Sequence, residues 1–297
     1  MKEKKIKNPI KKYPTPPFKK QSQPVPGVTS RMEPRPDHGE ESYRGHGQLK
    51  DRICIITGGD SGIGKAVAIA MAREGAHIVI CYKDKVEDQD AKDTLKWIKE
   101  AGVKGIAIRG DIRQERHCRK IIDRTVNTFG RIDVLVNNAA YQMSYDTLEE
   151  IDAAEWDKTF ETNIRAMFFL VKYAKPHMLA GSSIINTTSV NAYDPNPSLL
   201  PYAATKGAIQ NFTASLAQKF MEDKLGIRVN AVAPGPVWTP LIPSTIPDHE
   251  NFGETNSPMG RPGQPAEIAP IYVFLASEAA SYISGATIPA TGGRVTI

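Results

Sequence analysis

From about residue 50 onward the chain alternates short, unbroken apolar runs with stretches of helix length. The runs are Arg52–Thr57, His77–Tyr82, Gly105–Arg109, Val134–Asn137, Ser183–Thr187, Arg228–Ala233 and Ala286–Pro289. A strand wetted on one face alternates apolar and polar residues. These runs do not, so they read as strands covered on both faces. Such strands belong to a parallel sheet, and each parallel pair needs a long crossover between its members. The intervening stretches supply those crossovers: Ile63–Glu74, Glu87–Ala101, Gln114–Phe129, Ala153–Met178, Tyr202–Lys224 and Ala266–Ala276. Pro265 suits the first turn of the last one. The expectation is an α/β fold with a doubly wound parallel sheet in a three-layer αβα arrangement. No repeat or second core interrupts the pattern, so residues 45–297 are expected to form one domain.

Residues 1–44 read differently. They are rich in Lys and Pro (Pro14, Pro16, Pro17, Pro24, Pro26, Pro34, Pro36) and hold 11 Lys/Arg against 5 Asp/Glu. With few large apolar residues, such a segment does not offset its ordering entropy, so a disordered or extended tail is expected. The rest of the chain holds 27 basic and 28 acidic residues, so the overall charge of +5 belongs to the tail. A neutral body argues against a nucleic-acid surface. No apolar run is long enough for a bilayer, and the first residues lack the apolar core of a secretory signal. Cys54, Cys81 and Cys118 are far apart and read as reduced residues of a cytoplasmic protein.

The run Ile53–Ile56 leads into Thr57-Gly58-Gly59-Asp60-Ser61-Gly62-Ile63-Gly64 and then into a helix. Glycines let a backbone approach a ligand closely, and a helix start offers free N–H groups and a positive dipole end. This strand–turn–helix suits a dinucleotide pyrophosphate. Gly58, Asp60, Ser61, Gly62, Ile63 and Gly64 are the candidates. The second strand ends Tyr82-Lys83-Asp84, where a ribose would be read. No acid stands in the Tyr82 slot and Lys83 follows, which leans towards NADP, whereas Asp60 adds negative charge nearby. NAD and NADP both stay open. Asp111 and Ile112, after the third strand, can meet the adenine. Asn138, Ala139 and Ala140, after the fourth, can let the adenosine half approach, with Asn137 pinning the strand end.

Tyr202 and Lys206 lie four residues apart, close to one helical turn, so they share a face. An adjacent ammonium favours the phenolate, so Lys206 is expected to lower the pKa of Tyr202 and fit it for general acid–base work. Ser189 follows the fifth strand and can hold a substrate oxygen beside Tyr202; Thr188 is the rival hydroxyl. Asn163, inside a long helical stretch, reads either as a self-satisfied core residue or as the holder of a water in a proton relay from Lys206. Pro234, Gly235, Val237 and Thr239 follow the sixth strand and can wrap a nicotinamide. The segment Trp238–Gly260 is too long and Pro-rich for a tight turn and reads as a lid. Tyr141, Gln142, Tyr193 and Trp238 are the expected pocket lining.

Together these residues resemble the short-chain dehydrogenase/reductase family, in its compact one-domain branch, over about residues 48–293. The glycine turn, Asn137-Asn138-Ala139, Asn163, Ser189, Tyr202, Lys206, Pro234-Gly235 and Gly292-Gly293 carry the likeness. The N-terminal extension and the Thr57–Gly62 wording resemble a bacterial subgroup of oxidoreductases. The resemblance implies a Rossmann-like sheet of seven strands in the order 3-2-1-4-5-6-7 and a homotetramer. It implies an NAD- or NADP-dependent oxidoreductase acting on an alcohol or carbonyl compound. Ala140, where the family usually has Gly, and Thr291, where it often has an acid, are departures.

Two other readings stand beside it. One is a non-catalytic NAD(P)-binding sensor or scaffold on the same fold. The other is enoyl reduction, which in this family usually has a wider Tyr-to-Lys spacing. The six histidines show no metal-ligand spacing, and Gly-x-Ser-x-Gly is absent. A small-molecule substrate is expected, with no nucleic acid, membrane or metal.

Overall fold

Seven parallel strands form a single sheet in the order β3-β2-β1-β4-β5-β6-β7. They are β1 (Ile53–Thr57), β2 (His77–Tyr82), β3 (Gly105–Arg109), β4 (Val134–Asn137), β5 (Ser183–Thr187), β6 (Arg228–Pro234) and β7 (Thr287–Ala290). The helices are α1 (Gly62–Arg73), α2 (Asp88–Glu100), α3 (Glu115–Phe129), α4 (Ala153–Phe160), α5 (Ala166–Ala174), α6 (Leu200–Glu222), α7 (Leu241–Thr245) and α8 (Pro265–Ala276). The computed structural model describes residues 7–296. Residues 1–6, the start of the segment expected to be extended, and Ile297 lie outside the described residues.

Apolar strands with two buried faces need helices on both sides, and two packed layers provide them. On one side α1, α2 and α8 bury Ile56, Met71, Ile78, Ile98 and Tyr272. On the other, α3, α5 and α6 bury Ile55, Val79, Ile121, Leu170 and Phe220. Register is tight along the centre: Ile55 lies beside Val79 on one side and Leu135 on the other. Each such side chain contributes about 1.5–3 kcal/mol by leaving water.

The stretch Ala153–Met178, expected as one helix, is broken. Between α4 and α5 the residues Glu161–Arg165 form a π turn, and Lys175–His177 close the stretch in a 3-10 turn. Asn163 is the physical reason for the break. Its Oδ1 accepts the Tyr141 amide N–H at 2.7 Å, and its Nδ2 donates to Tyr141 O at 2.8 Å. Those bonds draw the helix towards the loop after β4. Single π turns of this kind are frequent at functional places.

Residues 7–48 run along the body in an irregular path with two 3-10 turns, Pro9–Lys11 and Thr29–Arg31. The last turn of α1 grips this segment. Arg73 donates to the carbonyls of Gly39 and Tyr43, both at 2.8 Å, and to that of Glu40. Glu74 accepts from the Tyr43 hydroxyl at 2.6 Å and the His46 amide at 2.8 Å. Buried Arg261 pairs with Glu267 and donates to Pro9 O. Phe18 and Met32 join Trp238 and Ile242 in a small separate apolar cluster.

Candidate active site

Every strand of a parallel sheet ends at the same edge, and open α/β sheets hold ligands there. A cavity of about 760 Å³ runs along that edge. It begins at Tyr82 and Lys83, passes the turn after β1, and ends at Ser189, Tyr202 and Lys206.

The turn is built by hydrogen bonds. Thr57 Oγ1 accepts the amides of Asn138 and Ala139 at 2.9 and 3.0 Å, which ties β1 to the end of β4. Gly58 N donates to Cys81 O at 2.7 Å. Gly58, Asp60, Ser61, Gly62 and Ile63 line the cavity. Gly64 does not line it; it backs the turn, so close that a Cβ there would lie 1.9 Å from Gly58 O. Amide donors at a helix start, beside a concave turn, fit a pyrophosphate.

At the end of the cleft expected to meet the ribose, Tyr82, Lys83 and Glu87 line the wall. Asp60 differs from the sequence reading of a fixed negative charge. It is buried with Oδ2 unpartnered, and its carboxyl is pushed up to about 8, first by burial and then by Glu87. Burial and the neighbouring acid thus favour its neutral form over that of a solvated aspartate. Asp111 and Ile112, expected to meet the adenine, also line the cavity. The Asp111 carboxylate, however, is held by the Arg113 guanidinium at 2.6 Å. Asn138, Ala139 and Ala140 also line the cavity. Asn137 instead donates to Asn186 Oδ1 at 2.9 Å and pins the ends of β4 and β5.

Tyr202 and Lys206 lie on one face of the first turns of α6, with Lys206 Nζ 5.1 Å from the Tyr202 ring centre. Lys206 Nζ donates to Thr187 O at 2.8 Å. Thr188 Oγ1 donates to Lys206 O at 2.7 Å, so the rival hydroxyl is engaged in holding α6. Ser189 caps the short turn after β5 and reaches Tyr202. The expected lowering of the phenol by Lys206 is not what the protein alone gives. Burial pushes Tyr202 up to about 12, with Ser189 pulling the other way, and burial pushes Lys206 down to about 7. Both charged forms lose water, so burial opposes the ammonium and the phenolate alike.

Asn163 does not line the cavity. Both Nδ2 hydrogens are engaged, one donating to Tyr141 O and the other to Thr205 Oγ1 at 3.0 Å. It thereby ties the loop after β4 to the turn bearing Lys206. Pro234, Gly235, Val237 and Thr239 line the cavity. Tyr141, Gln142 and Ser189 do so too. Tyr193 does not, and Trp238 is fully buried behind the wall, with Nε1 donating to Pro34 O at 2.7 Å. The lid segment contributes Leu241, Ile242 and Asn251 as a roof. Sequence reasoning missed Asn191, Asn196 and Arg294, and the tail residues Val25, Pro26 and Gly27. Loops bring these in, and loop residues carry no period to betray them. Among the described residues no helix is long and apolar enough to cross a membrane, and no cluster of metal-ligating side chains occurs.

A family model described as enoyl-(acyl carrier protein) reductase matches residues 58–294. The chain belongs to the short-chain dehydrogenase/reductase family. It is 48% identical over 270-odd residues, covering 91% of this chain and 95% of the relative, to the chloroplastic NADPH-dependent aldehyde reductase 1 of Arabidopsis thaliana. It is 47% identical to the glucose and ribitol dehydrogenase of Daucus carota, covering 94% of this chain and 97% of the relative. A Burkholderia cenocepacia short-chain dehydrogenase crystallised with NADP superposes with a TM-score of 0.77 at 28% identity, covering 83% of this chain and 98% of that one. The protein is thus an NAD(P)-dependent oxidoreductase on a Rossmann-like fold, and the cleft's turn and donors fit that cofactor.

Two outcomes are expected. Gly64→Ala forces a methyl against the Gly58 carbonyl, so it should weaken NADPH binding and cost about 1–3 kcal/mol of stability; fluorescence titration and thermal melts check both. For Lys206 the sign follows from its lowered folded value of about 7, against 10.5 unfolded. Between those values the unfolded chain binds more protons, so stability rises with pH. Lys206→Met lacks that proton. Wild type should gain on the variant, by on the order of a few kcal/mol, as pH rises from about 7 to about 10. Paired melts across that range measure the gap; a constant gap contradicts the assignment.

Proposed function

We propose that the protein reduces aldehydes, including polyhydroxylated ones, and oxidises the corresponding alcohols, with NADP(H) preferred and Tyr202 as general acid and base. One observation carries this reading: Ser189, Tyr202 and Lys206 share a buried wall of the cleft whose other end is the glycine turn. The bound dinucleotide supplies or accepts the hydride. In reduction, the Tyr202 hydroxyl gives its proton to the substrate oxygen while Ser189 holds that oxygen by a hydrogen bond. The resulting phenolate sits beside the Lys206 amine, whose protonated form stabilises it. In oxidation the same groups take the proton back.

Substrate class rests on the lining and on relatives. Gln142, Asn191, Asn196, Asn251 and Asn256 give the cleft many neutral donors and acceptors. Such a lining matches hydroxyl groups, and two relatives are named for aldehyde reduction and for glucose and ribitol. NADP preference rests on Lys83 at the ribose end and on buried Asp60, whose carboxyl is shifted towards its neutral form. The matched family model is described by enoyl reduction, so a second reading is kept for the test. The homotetramer is carried with the proposal: Phe168 on α5 and Tyr282 after α8 are exposed aromatic side chains available to it.

The test is nicotinamide absorbance with a panel of aldehydes, aldoses and an enoyl thioester. Turnover of aldehydes or aldoses supports the proposal; turnover of the enoyl thioester alone overturns it. Tyr202→Phe should lower kcat by about 10²–10⁴-fold while NADPH still binds. An unchanged kcat removes the phenol from the chemistry. Lys83→Glu should weaken NADPH by about tenfold or more and leave NADH nearly unaffected, as loss of a charge-assisted contact to the 2′-phosphate requires. Equal weakening of both cofactors sinks the NADP preference.

A further inference from the structure

Val25, Pro26 and Gly27 of the N-terminal segment line the same cleft as the glycine turn. Their course is fixed on both sides. On the lid side Gly27 lies flat against Pro240; a Cβ there would meet Pro240 O at 2.4 Å. The Thr239-Pro240 pair also faces Gly62 of the turn, where a Cβ would come within 3.2 Å of Thr239. So the segment, Pro240 and the glycine turn are stacked in that order. On the far side, Thr29 N donates to Asp90 Oδ2 at 2.7 Å, in the first turn of α2. That helix is tied to the turn, since Thr94 Oγ1 donates to Asp60 O at 3.0 Å. Residues 25–27 therefore cross from the lid to α2 above the pyrophosphate turn.

The flanks are anchored to the nicotinamide end. The Phe18 ring stacks on Trp238 with centroids 4.4 Å apart, and Phe18 N donates to Glu250 O at 2.7 Å. Trp238 stands between Val237 and Thr239, which line the cleft. Gln23 N donates to Pro243 O at 3.1 Å, and Val28 N donates to Gln23 Oε1 at 2.8 Å.

We propose that residues 18–34 are a strap that completes the dinucleotide site, with Val25-Pro26-Gly27 as its outer wall and the Phe18–Trp238 stack as its latch. The inference rests on NAD(P) binding in this cleft and not on the proton chemistry of Tyr202. The wall keeps water from the phosphate contacts, which strengthens them. A few discrete anchors hold the strap, and no strand or long helix passes through it, so it can lift without disturbing the sheet. A cofactor beneath it leaves only when it lifts. Coupling of this kind is reciprocal: whatever the strap adds to cofactor retention, bound cofactor adds to strap docking.

The full-length protein tests this in two ways. Release of NADPH is followed by its fluorescence after a chase with NADP. Phe18→Ala unlatches the strap, and Gly27→Val drives a side chain into the Pro240 carbonyl. Each should speed release by roughly tenfold or more, within the usual range of coupled sites. In wild type, trypsin cleavage at the exposed Lys19, Lys20 and Arg31 should slow as NADPH saturates. Unchanged release in both folded variants overturns the strap. So does a wild type that binds NADPH yet is cleaved at the same rate. If circular dichroism shows that a variant has not folded, the protease experiment on wild type decides alone. A wild type that binds no NADPH overturns the cofactor assignment, and the strap with it.

Discussion

A buried row of side-chain amides joins the parts that must stay in register. Asn137 at the end of β4 donates to Asn186 in β5, and Asn186 donates to Thr213 in α6, each at 2.9 Å. The strand that delivers Ser189 is thereby locked to the helix that carries Tyr202 and Lys206. Buried polar chains of this sort are costly to break, because removal of one member leaves its neighbour without a partner in a dry place. The apolar layers hold the sheet together by burial, which has no direction of its own. The hydrogen bonds have one.

The second constraint is electrical. A lysine, a phenol and a carboxylic acid, namely Lys206, Tyr202 and Asp60, are all removed from water along one cleft. In each case burial is the leading cause of the shift, and it disfavours the charged form. Perturbed groups of this kind gather where chemistry is done. The scaffold holds them with neutral hydrogen bonds, such as Lys206 to Thr187 O, rather than with fixed counter-charges. The protein thus leaves a positive charge on a bound ligand free to set the balance between phenol and phenolate.

The sheet was legible because β1 to β7 are apolar runs separated by helix-length stretches, and burial on both faces forces that pattern. The glycine turn, Ser189, Tyr202 and Lys206 were legible because their spacing is dictated by one turn and one strand end. Gly58, Gly62, Ser189, Tyr202 and Lys206 line one cleft. Asn163 was harder: a lone amide in a helical stretch does not reveal that it will bond a loop backbone and open a π turn. Trp238 was misread as pocket lining, since an aromatic ring beside Val237 and Thr239 points inward or outward according to what covers it. What covers it is Phe18, one of three aromatics in a Lys/Pro-rich segment whose average composition gives no hint of a docking site. The polar lining of Asn191, Asn196 and Arg294 arises from loops that converge only in three dimensions.

Arg294 and Asp194 form an ion pair across the mouth of the cleft, joining the chain after β7 to the loop after Ser189. Neither side chain is buried. Dissolved salt weakens exposed ion pairs, though charges in direct contact lie well inside the screening length. The tie across the entrance is therefore looser at high ionic strength, whereas the wall bearing Ser189, Tyr202 and Lys206, held by neutral bonds, responds less to it.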